Sequence, residues 1–276
     1  MILLDPHDYF KVINPLKAVS FNTLFAQSVV EKKIKGKIFV DNTETPNTFL
    51  IYHPYGISLL FGEINNYVFN AMFIDYALNT FKIRHRYEWL QAFPDVWHEK
   101  ISELFGDLLI KAKDNNGSDQ DTRIEENTRV NFKFNQEKFL TFRNTIQNDQ
   151  YQILMTDRAM FENMNGSVVP KYFWRDAEQF LSQGVGFSLF CDNKLASTAY
   201  SAFMTKSQLE IGIETNEIFR GKGFARLTGA ALIDYSLAHN LEPVWSCKFE
   251  NTGSYLLAQK LGFEPTCYHP FYRLNK

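Results

Sequence analysis

Cysteine is scarce in this chain of 276 residues: there are three, Cys191, Cys247 and Cys267. An odd count with no CxxC pair excludes a disulfide framework and argues against zinc, and it fits a reducing compartment. No metal and a cytoplasmic location are therefore expected. Long apolar runs are missing too, none approaching the roughly 20 residues of a membrane helix, so no membrane partner is expected. The opening stretch, Met1-Ile2-Leu3-Leu4-Asp5-Pro6, meets an acid and a proline too early for a signal-peptide core. An excess of charge is likewise absent. Lys plus Arg total 29 against 31 Asp plus Glu, a net charge of -2, which removes the electrostatic reason to expect a nucleic-acid partner.

What is present is apolar and aromatic material: 45% hydrophobic and 16% aromatic residues, including 26 Phe, enough for more than one core. The length exceeds a typical domain of roughly 100 to 200 residues, so two domains are expected. Lys111 to Thr128, KAKDNNGSDQDTRIEENT, has few apolar residues and many loop formers, and the boundary falls there. The domains are 1–125 and 126–276, the first a smaller α/β domain. In it, 20–31, Asn66 to Leu78 and Tyr87 to Ile110 look helical. Lys37 to Val40 and Thr48 to Glu63 alternate as strands around the turn His53-Pro54-Tyr55-Gly56. His53, His85 and His98 stand apart from one another, and no catalytic cluster is found there.

Beyond the boundary, Asn131 to Phe134 reads as a strand, Gln136 to Gln147 as a helix and Tyr151 to Met155 as a strand. Thr156 to Asn163 and Pro170 to Phe180 read as helices, the second with proline at its start. Strands at Gly186 to Asp192 and Lys194 to Thr205 meet at the turn pair Asp192-Asn193. A strand at Gln208 to Thr215, a helix from the glycine turn to His239, a strand at Val244 to Phe249 and a helix from Thr252 to Leu261 follow. Gly262 ends that last helix as a C-cap. The order is β, two helices, three strands, helix, strand, helix, strand, an α/β (α+β mixed) fold.

The informative segment is LEIGIETNEIFRGKGFA, Leu209 to Ala225, where a strand runs into glycines that open a helix. Gly221 and Gly223 let the backbone approach a ligand closely, and the free N–H groups of the first helical turn suit a pyrophosphate. Arg220 and Lys222 add cationic donors. A dinucleotide fingerprint starting at Gly221 needs a third glycine at 226, where the chain has Arg226, and the P-loop pattern is absent as well.

Arg220-x-x-Gly223-x-Ala225 resembles the (Gln/Arg)-x-x-Gly-x-(Gly/Ala) turn of the GCN5-related N-acetyltransferase (GNAT) family. The segment NTGSYLLAQKLGF, Asn251 to Phe263, resembles the family's second hallmark, Asn-x-x-Ala/Ser-x-x-Leu-x-x-x-Leu/Phe-Gly-Phe. The likeness covers about 150–276, and the whole chain resembles a two-domain bacterial subgroup that includes zwittermicin-type antibiotic acetyltransferases. The resemblance implies a C-terminal fold with a central mixed sheet flanked by helices. The first domain is then either a wall of the acceptor site or a degenerate copy of that fold. It further implies acetyl-CoA as cosubstrate and the primary amine of a small molecule as acceptor, attacking the thioester directly. Cofactor contacts fall on backbone at Ile213 to Thr215, on Arg220, Gly221, Lys222, Gly223, Phe224 and Ala225, and on Asn251 and Ser254. The strand at 209–215 is expected to splay from the strand at 244–249 and open the acyl slot.

A general base must take a proton from an ammonium, and Glu210 and Glu214 are the candidates, of which Glu214 is favoured because it lies nearer the cofactor turn. They share one strand face with Gly212, roughly 13 Å apart at about 3.3 Å per residue. Many family members place at position 258 a tyrosine that protonates the departing thiolate, and this chain has Ala258. Tyr255 or water would serve in its stead. Cys247 reads as a buried apolar residue and His239 as a C-terminal helix cap. The competing class, suggested by Ala258, is a non-catalytic acyl-CoA-binding regulator or scaffold. Oligomeric state and acceptor identity leave no mark in the chain.

Overall fold

The computed structural model describes residues 1–114, 123–146 and 151–276. In chain order the elements are β1 (Ile2–Leu3), α1 (Phe10–Lys17), α2 (Leu24–Val30), β2 (Lys37–Val40), β3 (Thr48–His53), β4 (Ile57–Gly62), α3 (Tyr67–Ala77), β5 (Glu88–Phe93), α4 (Val96–Phe105), β6 (Leu109–Lys111) and β7 (Ile124–Phe134). They continue with α5 (Gln136–Arg143), β8 (Ile153–Met155), α6 (Arg158–Asn163), α7 (Ala177–Gln183), β9 (Gly186–Cys191), β10 (Lys194–Met204), β11 (Gln208–Thr215), α8 (Phe224–Ala238), β12 (Glu242–Lys248), α9 (Thr252–Lys260) and β13 (Phe263–Leu274).

Two compact units result. One comprises Met1–Arg129, Lys248–Glu250 and Tyr268–Lys276, the other Val130–Cys247 and Asn251–Cys267. The last stretch of chain, from Tyr268, thus belongs to the first unit. In that unit the sheet order is β1-β2-β3-β4-β5-β13, with Tyr272 to Leu274 of β13 antiparallel to Glu88 to Leu90 of β5. In the second it is β7-β12-β11-β10-β9-β8.

The second unit follows the order expected from its sequence. β9 and β10 meet at Asp192 and Asn193, both at positive φ (+51° and +58°), the backbone of a tight hairpin that Asx residues tolerate. Its core joins the sheet to α8 and α9 through Val130, Phe139, Leu209, Leu232, Ile233, Trp245, Leu261 and Phe263. Gly262, at φ +87°, ends α9 as anticipated.

The first unit repeats this order: one strand, two helices, three antiparallel strands, a helix, a parallel strand and a helix. Its core gathers Leu60, Phe69, Phe73, Leu90, Trp97 and Tyr272.

Several expectations are corrected. Tyr87 to Ile110 is not one helix but β5, then α4. β5 is covered on both faces and carries two buried polar groups, so alternation is lost. Glu88 accepts from Ser58 Oγ at 2.6 Å and Tyr76 Oη at 2.7 Å, and His269 lies 2.9 Å from Gln91 Oε1. Pro170 opens only a short 3-10 turn, Pro170–Tyr172, and the helix forms later, where Asp176 accepts from Gln179 N at 2.8 Å as an N-cap. The strand expected at Asn131 begins at Ile124, inside the segment read as linker. α1 was not anticipated, since Pro15 lies within it. Part of the linker, 115–122, and the expected end of the 136–147 helix lie outside the described residues.

Candidate active site

β11 is paired along its whole length with β10, from Met204 opposite Leu209 to Ser197 opposite Thr215. Its other edge behaves differently. Against β12 the parallel ladder runs through Gln208–Glu242, Leu209–Pro243 and Glu210–Val244 and stops there, although β11 continues to Thr215 and β12 to Lys248. The neighbouring strands therefore diverge, and the β11 edge from Ile211 to Thr215 is left with backbone donors and acceptors that an inserted chain can satisfy. The equivalent parallel pair of the first unit does not open: β4 and β5 stay in register over Ile57–Trp89 to Phe61–Phe93.

The open edge of β11 leads into the glycine turn. Gly221 and Gly223 take φ of +78° and +84°, values that favour glycine. Gly223 is the N-cap of α8, with no side chain bonded to the first-turn N–H groups. The other described α-helices of this unit are capped, by Asn135, Asp157, Asp176 and Asn251. α8, of 15 residues, thus opens with orphan donors and its positive dipole end, an arrangement suited to an anion. The counterpart helix α3 is closed, because Asn66 accepts from Phe69 N at 3.0 Å.

Three cations surround this turn. Arg220 is held loosely, Nε 3.3 Å from Thr215 O and its terminal nitrogens 3.8 Å from Glu214 Oε1 and 3.7 Å from Glu217 Oε1. Lys222 lies over the Phe219 ring at 5.1 Å. Arg226, outside the sequence-based site, folds its guanidinium over Gly223, where an added Cβ would lie 2.6 Å from Nη2. The residue that excluded a dinucleotide fingerprint is a third donor at the turn.

Glu210, Gly212 and Glu214 alternate with Leu209, Ile211 and Ile213, which pack into the core. Glu210 is 6% exposed and accepts from Ser246 Oγ of β12 at 2.7 Å, at the register where the ladder ends. Gly212 is covered by the buried Tyr200 ring of β10, 2.6 Å from where a Cβ would stand, with Phe173 5.7 Å further out. Sequence reasoning missed Tyr200, although a glycine inside a strand is the usual sign of such a close approach. Glu214 stands four residues along, beside Arg220, its Oε2 accepting from Ser167 N at 2.9 Å and Val168 N at 2.8 Å. The two glutamates are not brought together.

On α9, Asn251 accepts from Ser254 N at 3.2 Å, and Ser254 Oγ accepts from Trp245 Nε1 at 3.3 Å. Tyr255 packs its ring 5.5 Å from Phe132, and Ala258 is wholly buried. Thr215 Oγ1 lies 2.9 Å from Ser197 Oγ. Cys247 is buried in the core, and His239 follows α8, its Nδ1 2.8 Å from Tyr235 O. Among the described residues, no group of three His, Cys, Asp or Glu could hold a metal, and no helix is long and apolar enough to cross a membrane.

Opened strands lead through a glycine turn into an uncapped helix, an arrangement that suits an extended, anion-tailed ligand. Residues 15–272 match the model of the GNAT acetyltransferase family, and the chain belongs to that family: it is an acetyltransferase. An uncharacterized N-acetyltransferase of Bacillus subtilis (strain 168), YdfB, is 24% identical over 251 residues, 90% of this chain and 89% of the relative. A GCN5-related N-acetyltransferase-like protein from Streptococcus suis 89/1591 has a similar fold, with TM-score 0.70, 21% identity and coverage of 97% of this chain and 99% of its own. So does a tandem GNAT protein from the clavulanic acid biosynthesis pathway, with TM-score 0.60, 9% identity and coverage of 99% and 97%.

Proposed function

We propose that the protein transfers an acetyl group from acetyl-CoA to the primary amine of a small molecule by direct attack on the thioester. The observation that carries this reading is the ladder between β11 and β12, which ends at Glu210 and Val244. Pantetheine would line the open edge, with backbone at Ile213 to Thr215 as partner. The pyrophosphate would meet the N–H groups of Gly221 to Ala225, with Arg220, Lys222 and Arg226 around it. These residues fit such a ligand: they offer orphan donors, positive charge and glycine backbone. Asn251 and Ser254, at the start of α9, would flank the arm.

The base we assign is Glu210 rather than Glu214. Glu214 contacts Arg220 at the phosphate end, whereas the thioester lies at the far end of the pantetheine arm, where the strands meet. Glu210 stands there, about 13 Å along the strand from Glu214. It takes a proton from the substrate ammonium, and the freed nitrogen lone pair attacks the thioester carbonyl. As the C–S bond breaks, the nitrogen gives up its second proton, which reaches the departing thiolate through water, leaving the amide and the thiol. Tyr255 packs its ring against Phe132, and water rather than this hydroxyl is the proton carrier to the thiolate in this reading. The test of the reading is thiol release from acetyl-CoA against amines, amino acids and aminoglycoside-like compounds. The expected result is thiol and acetylated amine in equal amounts; thiol release that no amine accelerates contradicts it.

A further inference from the structure

The loop between α6 and the Pro170 turn is tied down in an unusual way. Met164 and Val169 are buried, at 4% and 0% exposure, while Asn165, Gly166 and Ser167 between them face solvent. What holds the exposed part is the Glu214 carboxylate, which accepts from two consecutive backbone N–H groups, those of Ser167 and Val168. Ser167 Oγ lies 3.4 Å from the same oxygen. Gly166, at φ +153°, lies flat against that carboxylate, and a Cβ there would stand 2.5 Å from its carbon. The other oxygen, Oε1, is 3.8 Å from Arg220 of the phosphate turn. The Glu214 side chain is 11% exposed and Arg220 60%, so the loop contacts are the sheltered ones and the ion pair is the weak one.

We propose that Glu214 is a positioning residue: its carboxylate fixes the Gly166–Val168 loop as a wall of the acceptor pocket and joins that loop to the phosphate turn through Arg220. The identity of the pocket rests on the acetyl-transfer reading; the latch itself does not. The cofactor occupies the edge of β11, whereas Glu214 and Glu210 stand on one face of that strand. An amine that delivers its proton to Glu210 must approach on that face, and the loop pinned by Glu214 borders the same face about 13 Å along the strand, where it would meet the far end of the acceptor. Its exposed side chains, Asn165 and Ser167, are neutral and polar, matching an acceptor that carries hydroxyl or amide groups beside its amine.

Two measurements test this. Hydrogen–deuterium exchange needs no substrate: the Ser167 and Val168 amides should be protected in the wild type and lose that protection in Glu214→Ala, while β11 amides keep theirs. In steady-state kinetics Glu214→Ala should raise the acceptor KM about tenfold or more, with kcat and its pH dependence nearly unchanged. Glu214→Gln should lie between the two, because its amide oxygen still accepts an N–H. Two results overturn the proposal: Ser167 and Val168 amides that exchange in the wild type as fast as an unstructured peptide, or a Glu214→Gln variant with kcat lowered about a hundredfold at unchanged KM, the signature of a base. Should no amine be acetylated at all, the acetyl-transfer reading falls while the exchange result still decides the latch.

Discussion

At the scale of single residues, charge and backbone conformation govern the glycine turn. Gly223→Val introduces a β-branched residue at φ +84°, a conformation such residues disfavour strongly. Its Cβ would also displace the Arg226 guanidinium from the turn. Calorimetric titration should find CoA binding lost while circular dichroism remains that of the wild type, since α8 stays docked by Phe224, Leu232 and Ile233. Arg220→Ala and Arg226→Ala should each weaken binding by about tenfold, or ~1.4 kcal/mol, as expected for one charge-assisted hydrogen bond. Equal CoA affinity in all three variants would remove this turn from the site. The turn was legible in the sequence because its determinants are local: two glycines, an arginine and the start of an apolar helical stripe. The commitment of Glu214 was not, because its partners Ser167 and Val168 lie 47 and 46 residues away along the chain. Arg226 was visible but was weighed only as a missing glycine.

At the scale of elements, the slot depends on β11 being held in place from its other side. Full pairing with β10 does this, and so does the contact of Gly212 with the Tyr200 ring. Gly212→Ala places a methyl 2.6 Å from Tyr200 Cζ in a buried site, so that ring or strand must shift. Overpacking of that kind costs about 1–3 kcal/mol, and thermal unfolding should register it as a lowered Tm. An unchanged Tm would mean the ring does not clamp the strand. Periodicity made β9 to β11 readable, because hairpin chemistry at Asp192-Asn193 and alternation agree there. It failed at β5, where Glu88 and Gln91 are buried polar residues paired with distant partners, and at Pro170, where the later cap Asp176 sets the start of the helix.

At the scale of the whole molecule, the first unit repeats the topology of the second without its opening. β4 and β5 remain paired, and the α3 terminus is filled by its own Asn66. One CoA per chain follows, a stoichiometry near one in calorimetry, and two sites per chain would contradict it. The first unit also carries two histidines that burial holds neutral, His53 and His269, each with its pKa pushed down to about 3. The unfolded chain takes up protons below about 6.5, so between that pH and about 3 it binds more protons than the folded chain. Stability is thus fully present above about pH 6.5 and falls with pH, each histidine contributing up to about 1.4 kcal/mol per pH unit. Denaturant titrations at pH 7 and 5 should show the loss, and a smaller one in His269→Gln; no difference between the two pH values would contradict it.

The central claim is that the meeting point of β11 and β12 is where an amine loses its proton and attacks a thioester. It is tested most directly by Glu210→Gln, measured for thiol release and for CoA affinity in the same preparation. The account predicts a kcat lowered by about 10² to 10⁴ at neutral pH and CoA affinity equal to that of the wild type. A Glu210→Gln enzyme that turns over at the wild-type rate would contradict it.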